Sequence, residues 1–249
     1  MIRKTLAGAA LALSFAAPAM ATDIVDMTEA ERTAFRQEVR AYLLENPEVL
    51  MEAIAVLEQR QEQAAAMQDE QLVKTNAKEI FEDGYSWIGG NPEGDLTIVE
   101  FSDYRCTYCR KAHPEVEELL KSDGNIRFIV KEFPILGEQS ELSSRFAIAT
   151  KMAAGDVAYK KAHDALITMR GNATVQSLEK LAERLELDPG EILPRMNSPE
   201  VGEIIEKNRA LAQRLGISGT PTFVLESTML GGYVPLDGMR QLVRQARAD

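Results

Sequence analysis

The spacing of apolar and polar residues divides the chain into two dissimilar parts. Between residues 22 and 84, apolar side chains recur every three or four positions, the spacing of an amphipathic helix. They are Phe35, Val39, Tyr42, Leu43, Leu50, Ile54 and Leu57. Thr28 and Glu31 form a possible capping box at the start of the first helix. Asn46-Pro47 predicts a break and a second helix, which turns polar from Gln59 to Lys78.

These apolar stripes need a partner surface, because a helix gains most of its stability from burying a face. That surface is either the rest of the chain or another copy of the same segment. The position of the stripes before a long polar stretch favours other copies. We therefore expect residues 22–84 to form a helical oligomerisation segment and stalk, with docking onto the chain's own core as the alternative.

From residue 85 onward, strand and helix patterns alternate. Leu96–Ser102 is rich in β-branched residues and predicts a strand, Cys106–Leu120 predicts a helix, and Ile126–Phe133 predicts a second strand. This βαβ order is typical of two parallel strands. Residues 139–215 are strongly helical, and residues 222–247 predict two short strands and a final helix. An α/β fold is expected for residues 85–249.

The first residues have the pattern of a targeting segment. Arg3 and Lys4 form a short basic head, Leu6–Ala17 is apolar, and Ala19-Met20-Ala21 is a small-residue cleavage site. The apolar run is shorter than the ~20 residues that a bilayer span needs. We interpret residues 1–21 as a cleaved signal peptide, with an uncleaved anchor as the alternative.

Composition narrows the classes of function. The net charge of −11 argues against nucleic acid and anionic lipid as partners. The chain has two cysteines, Cys106 and Cys109, both in one Cys-x-x-Cys motif. A disulfide between them would close a loop too short to constrain the unfolded chain much, so a redox function is favoured over a structural one.

Cys106 lies where a predicted strand passes into a predicted helix. Free backbone N–H groups and the helix dipole stabilise negative charge at that position, so a thiolate there is favoured. Cys109 follows one helical turn later, where its sulfur can resolve a mixed disulfide. The spacing therefore predicts that Cys106 attacks and Cys109 resolves.

A metal site is the alternative for this motif. His113 follows Cys109 by four residues and shares its helical face, whereas His163 is distant in sequence. A structural zinc site needs four Cys or His ligands, so metal binding is not favoured as the primary function. His113 is expected to be an exposed helix residue, and neither a metal nor a cofactor is predicted.

A second motif lies far along the chain. Thr220-Pro221 leads directly from a loop into the predicted strand that begins at Thr222. An X-Pro bond at the start of a strand is a candidate for the cis isomer. An ordinary trans proline at a strand start is the alternative.

Residues 85–245 resemble the DsbA-like branch of the thioredoxin superfamily. The likeness rests on the run Glu100–Cys109, on Pro114 and on Gly219–Phe223. Pro221 follows Cys109 by 112 residues, more than in a plain thioredoxin, so residues 139–215 look like the helical insertion of this branch. The resemblance implies a thioredoxin fold with that insertion, preceded by the helical stalk.

The resemblance also implies roles for single residues. In this branch the first cysteine attacks, the second resolves and a cis-proline loop binds the substrate backbone, which assigns these roles to Cys106, Cys109 and Pro221. Glu100 stands where the branch has a buried carboxylate that manages protons for the buried cysteine. An ordinary strand-edge glutamate is the alternative for Glu100. Further positions implied to contact substrate are Thr107, Tyr108 and Thr220.

Within the branch, the chain is most similar to the ScsC and Com1-like proteins. Tyr108 and Thr220 are similar to positions in the isomerases DsbC and DsbG. This likeness implies a periplasmic homo-oligomer, with misfolded or oxidised exported proteins as clients and a DsbD-like membrane thiol protein as electron donor. A disulfide isomerase or reductase is therefore expected. The alternatives are a DsbA-type oxidant and a copper-binding thiol protein of metal-stress defence.

Overall fold

The structure is a computed structural model that describes residues 27–248. The predicted signal peptide at residues 1–21 lies outside these residues. Two compact units meet between Arg60 and Gln61, and each is described by itself below. Among residues 27–248, no helix combines the length and the hydrophobicity that a membrane span requires.

The first unit consists of two helices. Helix α1 spans Glu29–Glu45 and helix α2 spans Glu48–Phe81, so α2 continues into the second unit. The predicted capping box is present, with the Thr28 side chain accepting from the Glu31 backbone and Glu31 accepting from the Thr28 backbone. Helix α1 buries no residue. The predicted apolar positions are exposed, by 48% at Phe35 and by 55% at Leu57, except Leu43, which is half-buried.

The second unit combines five strands with the remaining helices. The strands are β1 (Trp87–Gly90), β2 (Leu96–Ser102), β3 (Ile126–Glu132), β4 (Thr222–Leu225) and β5 (Thr228–Gly231). The helices are α3 (Thr107–Asp123), α4 (Glu138–Ile167), α5 (Val175–Arg184), α6 (Pro189–Arg195), α7 (Pro199–Arg214) and α8 (Leu236–Ala246). The expected α/β order is confirmed, and four helices fill the chain between β3 and β4.

The strands form one sheet in the order β1-β3-β2-β4-β5. Strands β2 and β3 are parallel, as their βαβ pattern predicted, and all other neighbours are antiparallel. Alternate residues of each strand face opposite sides of a sheet. Ile98 therefore joins the core formed with α3, α4 and α8, whereas Val99 joins the core formed with α2 and α7. The unit has helices on both faces of a mixed sheet.

The last turns of α2 belong to the second of these cores. Val73 and Ile80 are buried against β2, β3 and α7, at 3% and 0% exposure. Asp83, just after α2, pairs with the fully buried ammonium of Lys131 on β3. The sequence predicted a polar stalk over this stretch. The C-terminal end of α2 instead packs on the sheet, through two apolar side chains and one buried ion pair.

Helix α4 changes direction at Gly155. This residue has a φ of 82°, a left-handed conformation that glycine adopts without strain. The residues after Gly155 form the half of α4 that packs beside α3 and carries Tyr159, His163 and Asp164. The kink therefore sets the polar residues of α4 behind the Cys-x-x-Cys motif.

Candidate dithiol active site

The two cysteines lie at the start of α3 and differ in burial. Cys106 is the N-cap residue, with an extended backbone of φ −73° and ψ 122°. Cys109 lies in the first turn. Cys106 is 7% exposed and Cys109 is 1% exposed, and both are free thiols. As the sequence predicted, Cys106 occupies the positive end of the helix dipole and Cys109 is shielded.

The predicted proline loop faces this pair. The Thr220–Pro221 peptide bond is cis, as the sequence motif predicted. The Cys106 thiol lies 3.1 Å from the Thr220 carbonyl oxygen, to which it donates a hydrogen bond. Strand β4 follows the loop and pairs with β2, where Phe223 stands opposite Glu100. This pairing holds the loop against the start of α3.

Glu100 is buried on the same strand. It is 4% exposed, and burial raises the pKa of its carboxyl group to about 7, against opposing effects of Ser102 and His113. Burial also raises the pKa of the Cys109 thiol, and the negative charge of Glu100 adds to this effect. Burial therefore favours the protonated form of the Cys109 thiol and brings the pKa of Glu100 close to neutral.

Asp103 fixes the loop before the cysteines. Its fully buried carboxylate accepts hydrogen bonds from the Ser140 hydroxyl at 2.7 Å and from the Arg105 backbone at 2.8 Å. It also accepts from the backbone of Ile135 and Leu136, at 2.8 and 3.1 Å. A buried carboxylate needs such partners. Asp103 thus holds together the loops after β2 and β3, a role that the sequence did not assign.

A buried polar network lies behind the motif. The hydroxyl groups of Tyr104 and Tyr159 both donate to one carboxylate oxygen of Glu132, at 2.7 and 2.5 Å. Tyr104 also contacts His163 Nδ1 at 3.0 Å. Burial raises the pKa of Glu132 to about 7 and lowers that of His163 to about 3. The network joins residues far apart in sequence, so no local motif reveals it.

The expectation that His113 is an exposed helix residue is wrong. Its side chain is 15% exposed and its Nε2 atom lies 3.3 Å from Asp164 Oδ1. The His113 and His163 rings have centroids 5.4 Å apart. The kinked second half of α4 covers this position, which the sequence of α3 alone cannot show.

The remaining motif residues surround the opening of the site. Thr107 is exposed, Tyr108 is 60% exposed and Thr220 is half-buried beside Cys106. Ile135 and Leu136, which Asp103 positions, are 37% and 53% exposed. Tyr108, within the motif, and Ile135 and Leu136, on the loop tied to Asp103, therefore present exposed apolar side chains.

This geometry is that of a thiol–disulfide oxidoreductase site: a cysteine at a helix N-terminus, a buried second thiol and a facing cis-proline loop. Two family models match the chain. The DSBA-like thioredoxin domain matches residues 97–244, and the Copper resistance protein ScsC N-terminal domain matches residues 31–64. The first match covers more than half of the chain. The chain belongs to the DSBA-like thioredoxin domain family.

Solved structures similar to the chain include the following two. A thioredoxin-like oxidoreductase from Silicibacter pomeroyi is 39% identical, with a TM-score of 0.65, over 69% of this chain and 98% of its own. BcfH from Salmonella enterica Typhimurium is 29% identical, with a TM-score of 0.72, over 88% of this chain and 96% of its own. The second likeness extends into the N-terminal helices.

A curated relative is similar over part of its length. The Na(+)/H(+) antiporter NhaA 1 of Salinispora arenicola is 30% identical over 162 residues, which are 65% of this chain and 24% of the antiporter. The chain thus spans about a quarter of the length of this antiporter and of two other NhaA antiporters that it matches.

Proposed function

We propose that the chain is a periplasmic thiol–disulfide oxidoreductase that reduces and isomerises protein disulfides. The observation that carries the proposal is the placement of Cys106 at the N-terminus of α3, 3.1 Å from the Thr220 carbonyl of the cis-proline loop. Cys106 therefore lies at the positive end of the helix dipole, beside the loop on which a client would bind.

The reaction begins at Cys106. Its thiolate attacks one sulfur of a client disulfide, which forms a mixed disulfide and releases the other client sulfur as a thiolate. In isomerisation, that client thiolate attacks a different client disulfide, and a further client thiolate then attacks the mixed disulfide and returns Cys106 to its thiolate form. No net electron transfer occurs, so the dithiol stays reduced.

The resolving step uses the buried pair. Cys109 loses its proton to the Glu100 carboxylate and attacks the sulfur of Cys106, which releases the client as a dithiol and leaves a Cys106–Cys109 disulfide. The Glu100 carboxyl group is suited to this transfer because burial raises its pKa to about 7, close to the working pH. A membrane thiol protein of the DsbD type then reduces the disulfide again.

Client binding uses the loop and the surface beside it. Once Cys106 ionises, the Thr220 carbonyl loses its thiol donor and is free to accept from a client backbone N–H. A groove of about 400 Å³ borders the loop and is lined in part by Ser218, Gly219 and Thr222. Tyr108, exposed by 60%, supplies an apolar contact for the side chains of an unfolded client.

The isomerase function depends on assembly through the N-terminal helices. Tyr42, Leu50 and Ile54 are 54%, 49% and 48% exposed, which is costly for apolar side chains in water. The match of residues 31–64 to the ScsC N-terminal domain supports a dedicated role for this segment. A closed assembly would cover the same patch on every copy and arrange several dithiol sites around one client.

An experiment on the full-length protein tests this proposal. Val39→Glu with Ile54→Glu places two charges in the apolar stripe, and Gln37→Glu with Gln59→Glu places two charges at exposed polar positions of the same helices. The first double variant should sediment as a monomer and lose most isomerase activity on a scrambled disulfide substrate, while it still reduces a small disulfide. The control should keep both the assembly and the activity.

Three results would contradict the proposal. Wild-type protein that sediments as a monomer would remove the basis for assembly. A monomeric stripe variant with unchanged isomerase activity would separate the activity from the N-terminal helices, and efficient oxidation of reduced substrates with no isomerisation would favour a DsbA-type oxidant.

A further inference from the structure

Both histidines of the chain converge, although they are 50 residues apart in sequence. His113 lies on α3, and His163 lies on the second half of α4 next to Asp164. One ligand atom from each of these three residues lies within 4.8 Å of the other two. We propose that His113, His163 and Asp164 form a binding site for a divalent transition-metal ion of the Zn²⁺ type, separate from the dithiol.

The spacing suits the coordination geometry of zinc. Zinc lies about 2.0–2.1 Å from its nitrogen and oxygen ligands, so two ligands at a tetrahedral angle are about 3.3 Å apart. The distance from His113 Nε2 to Asp164 Oδ1 is 3.3 Å. This pair already has the separation that a shared ion requires. The ligand atom of His163 lies within 4.8 Å of both, so it needs a shift of up to about 1.5 Å, within the reach of side-chain rotation.

The buried network orients the third ligand. Tyr104 donates its hydroxyl hydrogen to Glu132 at 2.7 Å, so its oxygen is left to accept from His163 Nδ1 at 3.0 Å. His163 is therefore the tautomer with hydrogen on Nδ1 and a lone pair on Nε2. Metal-binding histidines commonly donate a hydrogen bond from the N–H group of their second ring nitrogen to a fixed acceptor in this way. The Glu132–Tyr104–His163 chain supplies such an arrangement.

The burial of the three residues leaves one open side. His163 is 4% exposed, whereas the side chains of His113 and Asp164 are 15% and 41% exposed. An ion can therefore enter at Asp164, and water can complete its coordination from that side.

Lys160 occupies the entrance as a cation. Its ammonium lies 2.7 and 2.6 Å from the two carboxylate oxygens of Asp164 and 3.2 Å from Glu117. A metal ion must displace it from Asp164, and the Lys160 side chain is 29% exposed and can move into solvent. The contacts of Lys160 show that the site stabilises a positive charge. Lys160 also competes with a metal ion for Asp164 and so lowers the affinity of the site for the ion.

The ligand types separate this site from the dithiol. Two imidazole nitrogens and one carboxylate oxygen favour Zn²⁺, Ni²⁺, Co²⁺ or Cu²⁺, whereas thiolates favour soft ions such as Cu⁺. Replacing both cysteines therefore isolates the proposed site. The chain has no histidine beyond these two, so imidazole coordination in an untagged protein must come from them.

The test uses untagged, full-length Cys106→Ser/Cys109→Ser protein, titrated with Zn²⁺ by calorimetry and with Co²⁺ by visible absorption. We expect one ion per chain and a Co²⁺ spectrum of nitrogen and oxygen ligands. His113→Ala and Asp164→Asn, at the two partly exposed ligands, should each weaken Zn²⁺ binding by about tenfold or more. Circular dichroism should show that both variants stay folded.

Lysine variants provide the matched comparison. Lys160→Met should tighten Zn²⁺ binding several-fold, whereas Lys161→Met removes the same charge at the neighbouring exposed position and should leave the affinity unchanged. Absence of Zn²⁺ and Co²⁺ binding to the cysteine-free protein would overturn the proposal. So would binding that survives both His113→Ala and Asp164→Asn unchanged.

Discussion

The thiol of Cys106 donates to the backbone carbonyl oxygen of Thr220, across a distance of 3.1 Å between sulfur and oxygen. These residues are 114 positions apart and come from the start of α3 and the loop before β4. The contact brings the attacking sulfur next to a backbone acceptor that a client can use. Cys109, one helical turn further along α3, is more deeply buried, at 1% exposure against 7% for Cys106.

The difference in burial predicts which thiol reacts first. In reduced protein at mildly acidic pH, iodoacetamide should label Cys106 at least about tenfold faster than Cys109, since burial raises the pKa of the Cys109 thiol. Mass spectrometry of the peptides measures the two rates, and the Cys109→Ser variant controls for transfer between the sulfurs. Faster labelling of Cys109 would reverse the assigned roles.

The raised pKa of Glu100 predicts a pH dependence of stability. The folded state holds this proton more tightly than the unfolded state, so stability is lost as pH rises from the ordinary value of 4.5 to about 7. Between pH 5 and pH 8, Glu100 should lower the free energy of unfolding of the wild-type protein by on the order of 2–3 kcal/mol. This contribution should be absent from the Glu100→Gln variant. Urea denaturation of reduced protein at both pH values measures it.

An exposed carboxylate serves as the control for that measurement. Glu203 lies on α7 with a side chain that is 68% exposed. Glu203→Gln should leave the pH profile of the free energy of unfolding unchanged. Identical profiles for wild type and Glu100→Gln would show that Glu100 does not hold a raised pKa.

Local signals in the sequence predicted most of the fold. Helices α4 to α7 occupy the stretch of residues 139–215 that was predicted to be helical, and β2 has the predicted bounds of Leu96–Ser102. These features depend on neighbouring residues, which the sequence displays directly. The positions of the two cysteines and the cis Thr220–Pro221 bond could be predicted for the same reason, because each lies in a short sequence motif.

The buried polar residues around the site could not be predicted in this way. Glu132, Tyr104 and His163 meet only because α4 kinks at Gly155 and packs beside α3. Taken alone, each residue is an ordinary strand, turn or helix position. The burial of Ile80 at the end of a polar helix has the same origin, since the sheet that covers it comes from a later part of the chain.

The Glu132 network predicts an effect of removing one hydroxyl. Tyr159→Phe takes away one of two donors to a fully buried carboxylate, so it should lower the free energy of unfolding by about 1–3 kcal/mol. Tyr42→Phe removes a hydroxyl from a tyrosine that is 54% exposed and should have almost no effect. Equal effects of the two substitutions in urea denaturation would show that the network adds no stability.

The end of α2 predicts where the chain can be shortened. Deleting residues 22–60 leaves Val73, Ile80 and Asp83 in place, so the remaining protein should unfold cooperatively. Deleting residues 22–84 removes two core side chains and leaves the buried ammonium of Lys131 without its partner Asp83. This deletion should lower the free energy of unfolding by roughly 4 kcal/mol or more. Urea denaturation compares the two proteins, and equal stability would mean that α2 does not support the sheet.

The mixed disulfide tests the central claim most directly, because it is the covalent intermediate of the proposed reaction. Cys109→Ser protein is incubated with an unfolded, disulfide-containing client and quenched with acid, and the products are identified by mass spectrometry. We predict a covalent complex joined through Cys106, with none formed by Cys106→Ser protein under the same conditions. A complex joined through Cys109 in the Cys106→Ser protein, or no complex with either variant, would contradict the account.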